Sequence, residues 1–180
     1  MYRQLFVLFL LLTTPGRAQI YLIESGKIDF RSDAPLELIA AGNTQFTGAI
    51  DFDKQTFFLQ VLNKGFTGFN SPLQQEHFHE NYMESNRFPK STFQGKLIEV
   101  VRPSENGSYT IRAKGKLTIH GISQERIIKA TLKVQNGVIQ LESDFSVLLE
   151  EHAIAIPKIV KQKIAEEIFI HVQARLLPKP

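Results

Sequence analysis

From residue 109 to residue 119 the chain alternates without a break. Tyr109, Ile111, Ala113, Gly115, Leu117 and Ile119 share one face, and Thr110, Arg112, Lys114, Lys116 and Thr118 share the other. A period of two is the signature of a half-buried strand, because successive side chains of an extended chain point to opposite sides. The pattern recurs at Ile128, Ala130, Leu132 and Val134, then at Ile139, Leu141, Phe145 and Val147, and last at Ile168, Ile170, Val172, Ala174 and Leu176. Upstream, Phe46, Gly48, Ile50 and Phe52 form one set, Phe57, Leu59 and Val61 a second, and Phe93, Gly95 and Leu97 a third. Ile28 and Phe30 predict a strand nearer the start. Asn136-Gly137 is a tight turn, since both positions accept positive φ. Asn106-Gly107-Ser108 matches a glycosylation sequon and also reads as a hairpin turn, and the turn is preferred.

Two helices break the alternation. Ser71, Pro72 and Gln74 supply an N-cap, a proline at the first helical position and the closing residue of a capping box. That helix is predicted to run to about Ser85, with Phe78 and Tyr82 on one side. A short second helix is predicted after Pro157, with Val160 and Ile164 four apart. About eight antiparallel strands with one apolar face each imply an all-β barrel or sandwich, and an up-and-down barrel removes the edge strands.

Parity then places Phe46, Phe57, Leu59, Phe93, Leu97, Leu117, Ile119, Leu132, Leu141 and Phe145 on the wall of a lumen. Phe66 and Phe69 follow the third strand, and with Phe78 and Tyr82 they are expected to close its mouth. Gly48, Gly95 and Gly115 on inward faces are expected to leave space, so that Gly95→Phe would block the lumen without unfolding the barrel. Lys64, Arg87 or Lys90 near the rim can neutralise a phosphate head group. The competing reading is a core filled by its own side chains.

The first 18 residues read as something other than fold. Leu5 to Leu12 is a continuous apolar run, Thr13, Thr14 and Pro15 end it, and Gly16 and Ala18 are small. This is the pattern of a secretory signal peptide over residues 1–18, with cleavage after Ala18 and one domain over residues 19–180. The mature protein is then periplasmic or secreted. Removing Arg3 and Arg17 takes the formal charge from +3 to +1. A near-neutral protein has no electrostatic case for nucleic acid. No run of 18 apolar residues offers a membrane-spanning helix. The absence of cysteine excludes a disulfide framework, a cysteine-based zinc site and a cysteine nucleophile. Phenylalanine, by contrast, occurs 14 times.

At this point two stretches resemble a known family. EHFHENYMESNRFPKSTFQG at residues 76–95 and KGKLTIHGISQERIIKATL at residues 114–132 are similar to segments of the YceI-like lipid- and polyisoprenoid-binding proteins. Phe88, Pro89 and Phe93 match the family's "yP…tF" segment, and Leu117 to Gly121 match its "LTIHG" segment. The chain departs from many relatives at Gln74 to Phe78, which lacks the arginine of an "R-x-x-H-L" stretch, and in "IPKIVKQKIAEEI" at residues 156–168. The resemblance implies a single eight-stranded, lipocalin-like barrel with one or two short helices. It also implies a polyisoprenoid or similar amphipathic chain held in the lumen for storage or transport.

Other chemistry is thinly represented. His77 and His79 look like a metal pair, but two residues apart on a helix they point about 200° away from each other. His120 and His171 fall on outward faces by parity, and Glu76, Glu80 and Glu84 recur along a solvated helix face. No nucleophile elbow or phosphate-binding glycine loop is present. The expectation is a binding protein, not an enzyme, without metal or cofactor, with an amphipathic lipid as partner and a homodimer allowed. The alternative is a secreted envelope or stress interaction protein with a filled barrel and no ligand.

Overall fold

In a computed structural model, which describes residues 20–180, nine strands form one antiparallel sheet that closes on itself. The predicted signal peptide lies outside the described residues. The strands are β1 (Ile20–Asp33), β2 (Leu38–Asn43), β3 (Phe46–Asp51), β4 (Thr56–Leu62), β5 (Lys90–Leu97), β6 (Gly107–Ile119), β7 (Ile122–Gln135), β8 (Val138–Leu148) and β9 (Glu167–Pro178). β2 and β3 take turns at one place in the barrel. Leu38–Asn43 pair with the second half of β1, and Ala49–Asp51 pair with its start. Closure comes from β1 against β9, from Tyr21↔Pro178 to Ser32↔Ile168. The result is an eight-stranded barrel, as the alternation and the resemblance implied.

Closure of β1 on β9 brings the inward rows of the strands to one space. A bulge at Glu24 shifts the parity of β1. Tyr21 and Ile23 face inward before it, and Gly26, Ile28, Phe30 and Ser32 after it. Asn136 and Gly137 both have positive φ, 51° and 76°, and make the expected tight turn. His120 and Gly121, at 50° and 73°, make a second between β6 and β7.

Several expectations need correction. β2 was not foreseen, because Leu-Ile-Ala-Ala-Gly-Asn carries only Ile39 and Ala41 as buried apolar positions. The helix after Ser71 is α-helical only over Pro72–His77 (α1). It then widens over Phe78–Tyr82 into a π turn, in which Met83 N donates to Phe78 O at 2.8 Å. The second helix shrinks to a 3₁₀ turn, Lys158–Val160. Gly107 opens β6, so the turn lies just before the sequon, where Glu105 N donates to Arg102 O at 3.0 Å.

The glycine expectation fails as well. A Cβ on Gly95 would lie 2.1 Å from the Lys114 carbonyl oxygen and 2.5 Å from Gly115 Cα. Gly95 and Gly115 are register partners, and one on Gly48 would lie 2.4 Å from the Phe58 carbonyl oxygen. These glycines bring neighbouring strands close; they do not open the lumen.

Candidate functional site

The inward rows enclose a cavity of about 510 Å³. Nine of the ten residues assigned to the lumen line it: Phe46, Phe57, Leu59, Phe93, Leu97, Leu117, Ile119, Leu141 and Phe145. Leu132 does not. It is fully buried with Ile139 and Leu176 beneath the cavity, where Tyr21 meets Phe52 edge-on at 5.5 Å. These side chains form a floor at the end where β1 begins. The reason is longitudinal position, which parity cannot give: Leu132 faces inward but lies too far along β7. From the same alternating rows, but outside those ten, Ile111, Ala113, Ile128, Ala130, Ile168, Ile170 and Val172 add to the wall.

The opposite end is the mouth. All four residues expected there, Phe66, Phe69, Phe78 and Tyr82, line the cavity. Phe78 stacks on Phe30 at 5.3 Å and 16°, and Phe66 and Phe69 meet Phe78 at 5.5 and 5.0 Å. This ring cluster is where the helix stops being regular. The aromatic packing anchors the π turn, each such pair adding about 0.5–1.5 kcal/mol beyond area burial. Two buried asparagines hold the loops below it. Asn43 Nδ2 donates to Leu62 O, and Asn63 Nδ2 to Phe88 O, both at 2.7 Å.

Lys64, Arg87 and Lys90 are exposed and none lines the cavity. Arg87 instead faces Glu84 at 3.6 Å and lies over the Phe88 ring at 4.9 Å. The lysine that does reach the cavity is Lys163, in the loop before β9, with Glu37, Gln74 and His77 also at the rim. Gln74 Nε2 donates to Glu37 Oε1 at 2.9 Å, which ties α1 to the β1–β2 loop.

His77 and His79 separate as helical geometry requires. His77 lines the cavity, while His79 Nδ1 meets Ser85 Oγ at 3.2 Å and burial lowers its pKa. His120 is not on an outward face. Its tight turn aims the ring at two acceptors, with Nε2 donating to Glu84 Oε2 at 2.6 Å and Nδ1 to His152 O at 3.1 Å. Glu84 accordingly leaves the solvated row. It sits beyond the helix at φ 41°, and the bond from His120 lowers its pKa. His120 therefore ties Glu84 and the His152 carbonyl together at this end of the barrel. His171 does face outward. Its Nδ1 meets Asp144 Oδ1 at 2.7 Å, and Glu142 lies alongside on the outer wall, away from the cavity.

A further group escaped notice in the sequence. β7 and β8 pair only over Thr131–Gln135 and Val138–Glu142, and above that they part. A 3₁₀ turn, Leu149–His152, covers the seam. His152 Nδ1 donates to Ile122 O at 3.1 Å, Gln124 Nε2 to Glu151 O at 2.7 Å, and Arg126 Nη2 to Glu151 Oε2 at 2.6 Å. Ser143 Oγ donates to Lys129 O at 2.7 Å, satisfying a carbonyl left by the parting strands. The signal was present: continuing the inward row of β7 backward from Ile128 reaches Arg126 and Gln124, two polar residues where an apolar wall needs none.

The barrel fold is shared with known proteins. The family model of the YceI-like domain matches residues 26–176. The chain belongs to the YceI-like family. Among solved structures, it is similar to a polyisoprenoid binding domain from Saccharophagus degradans, at a TM-score of 0.76 and 9% identity, covering 91% of this chain and 100% of that one. It is also similar to BcnA of Burkholderia cenocepacia, at a TM-score of 0.69 and 13% identity over 83% of this chain and 95% of that one. The YceI protein of Campylobacter jejuni gives a TM-score of 0.61 at 15% identity, over 75% and 82%. At these identities the likeness is one of fold. Among curated proteins, no sequence match reaches significance. No helix among the described residues is long and apolar enough to cross a membrane.

Proposed function

We propose that this member of the family is a lipid-binding protein, exported through its N-terminal signal, that holds one amphipathic chain such as a polyisoprenoid in its barrel lumen for storage or transport. The observation that carries the reading is the cavity of about 510 Å³ in a barrel of a size that side chains alone can fill. Its wall is almost wholly apolar, with Phe57 and Phe93 packed at 4.8 Å within it and the polar groups Glu37, Gln74, His77 and Lys163 gathered at one end. An amphipathic molecule has the same division. A chain in that wall gains about 0.8 kcal/mol for each methylene removed from water. The polyisoprenoid binding domain of similar fold supports the same class of ligand. Binding, without a reaction, is the simplest use of a site with one polar rim and no framed nucleophile.

The test is organic extraction of the purified mature protein followed by mass spectrometry. A single lipid species at near one per chain is the expected result. A protein that carries no lipid, and takes none up from mixed lipid vesicles, would overturn the reading in favour of an envelope interaction protein.

A further inference from the structure

We infer that the cavity is a ruler for a single chain of about 15–20 carbons, so that a longer isoprenoid or a second acyl chain must remain outside. The inference rests on the lipid-binding reading above. Two measures of the same space, one of volume and one of length, agree on it.

By volume, a methylene takes up much the same room as a water molecule in the liquid, about 30 Å³, so 510 Å³ holds about 17 of them. By length, the lining side chains on β6 run from Ile119 at the mouth to Ile111 at the floor. At about 3.3 Å per residue and a strand tilt of about 40°, that is a depth of about 20 Å. One leaflet of a bilayer is about 15 Å of hydrocarbon, half the core, and is spanned by one acyl chain. The cavity therefore takes one membrane-length chain lying straight.

The floor makes the limit sharp. Leu132, Ile139 and Leu176 are fully buried, and Tyr21 and Phe52 close the end behind them. Close-packed interiors yield little, so a chain that reaches this layer stops. In isoprenoid terms about 15–20 carbons is about three or four five-carbon units. A diacyl lipid needs about twice the volume.

Ala130 is the residue that sets the depth. It lines the cavity one inward position above Leu132 on β7, and its small side chain leaves the space over the floor open. A phenyl ring needs a cavity of about 150 Å³, equal to about five methylenes, so Ala130→Phe raises the floor by that much.

The experiment uses the lipid-free mature protein and straight-chain primary alcohols of even length, from about 10 to about 24 carbons, a range chosen to bracket the capacity. They compete in pairs in native mass spectrometry, with an octaprenyl alcohol and a diacyl phosphatidylcholine as added competitors. Affinity is expected to rise about fourfold per methylene up to 16–18 carbons and then level off. In Ala130→Phe the break is expected about four or five carbons earlier. Affinity that climbs steadily to the longest alcohol would overturn the ruler while leaving lipid binding intact, as would octaprenyl alcohol or the phospholipid outcompeting every straight chain tenfold. Failure of every probe to bind would overturn the lipid reading itself. If Ala130→Phe does not fold, the unsubstituted series decides alone.

Discussion

Gly95→Ala separates two meanings of an inward-facing glycine. If Gly95 bordered open lumen, a methyl group there would be harmless. The structure puts its Cβ 2.1 Å from the Lys114 carbonyl oxygen, where ordinary contact begins at 3.4 Å. β5 and β6 must then part by about 1.3 Å at Gly95↔Gly115. Backbone cannot swing aside as a side-chain tip can, so the separation propagates to the flanking pairs Phe93↔Leu117 and Leu97↔Ala113. Overpacking of this kind costs about 1–3 kcal/mol. One or two ladder hydrogen bonds lengthened beyond use add about 1 kcal/mol. The expected loss is about 2–4 kcal/mol, read as a lower urea midpoint at unchanged slope. In a domain of this size that is a fall of about 4–16 °C in Tm. The alanine variant should keep its lipid capacity per folded molecule, because the methyl group never reaches the cavity. A change within about 0.5 kcal/mol would refute the close-approach argument and restore Gly95 as a lumen position.

The acid side of the stability profile is set by histidines that burial keeps neutral. His152 and His79 both have pKa values lowered from 6.5 by burial, so below about pH 6.5 the unfolded chain binds protons that the folded one refuses. Stability should therefore fall as pH drops from 7 toward 5. His152→Asn, which retains a donor for the Ile122 carbonyl, should flatten part of that fall, and an unchanged Tm slope in the variant would count against it. Glu84 acts further down: its lowered pKa contributes stability above 4.5 that is lost below it, and Glu84→Gln should remove that component in the same titration. Ser71→Ala removes the acceptor for Gln74 N and should cost about 1 kcal/mol, or about 2–4 °C in Tm, while loosening the α1 rim to proteolysis first. N-terminal sequencing of the exported protein should begin at Gln19; retention of Met1 would remove the export argument.

The strands were legible because their chemistry is local. Ile111, Leu117, Leu132, Leu141 and Val172 are apolar at every second position, and only an extended chain buries such a row against one space. The same periodicity placed nine of its ten assigned lumen residues on the cavity wall, and Ser71-Pro72 supplied the start of α1. What the sequence could not supply depends on distance along the barrel or on partners far away in the chain. Leu132 has the parity of a wall residue, but only the register of β7 with β8 and the closure of β1 on β9 put it in the floor. Gly95 has the same parity, and only the approach of β6 shows that its missing side chain brings strands together. The helix ends early because Phe78 packs on Phe30, Phe66 and Phe69, and His120 turns inward because Glu84 and the His152 carbonyl lie where its ring can reach both. Alternation specifies which side of a strand is buried; closure of the barrel decides how deep the space behind it is, and which charged groups stand at its rim.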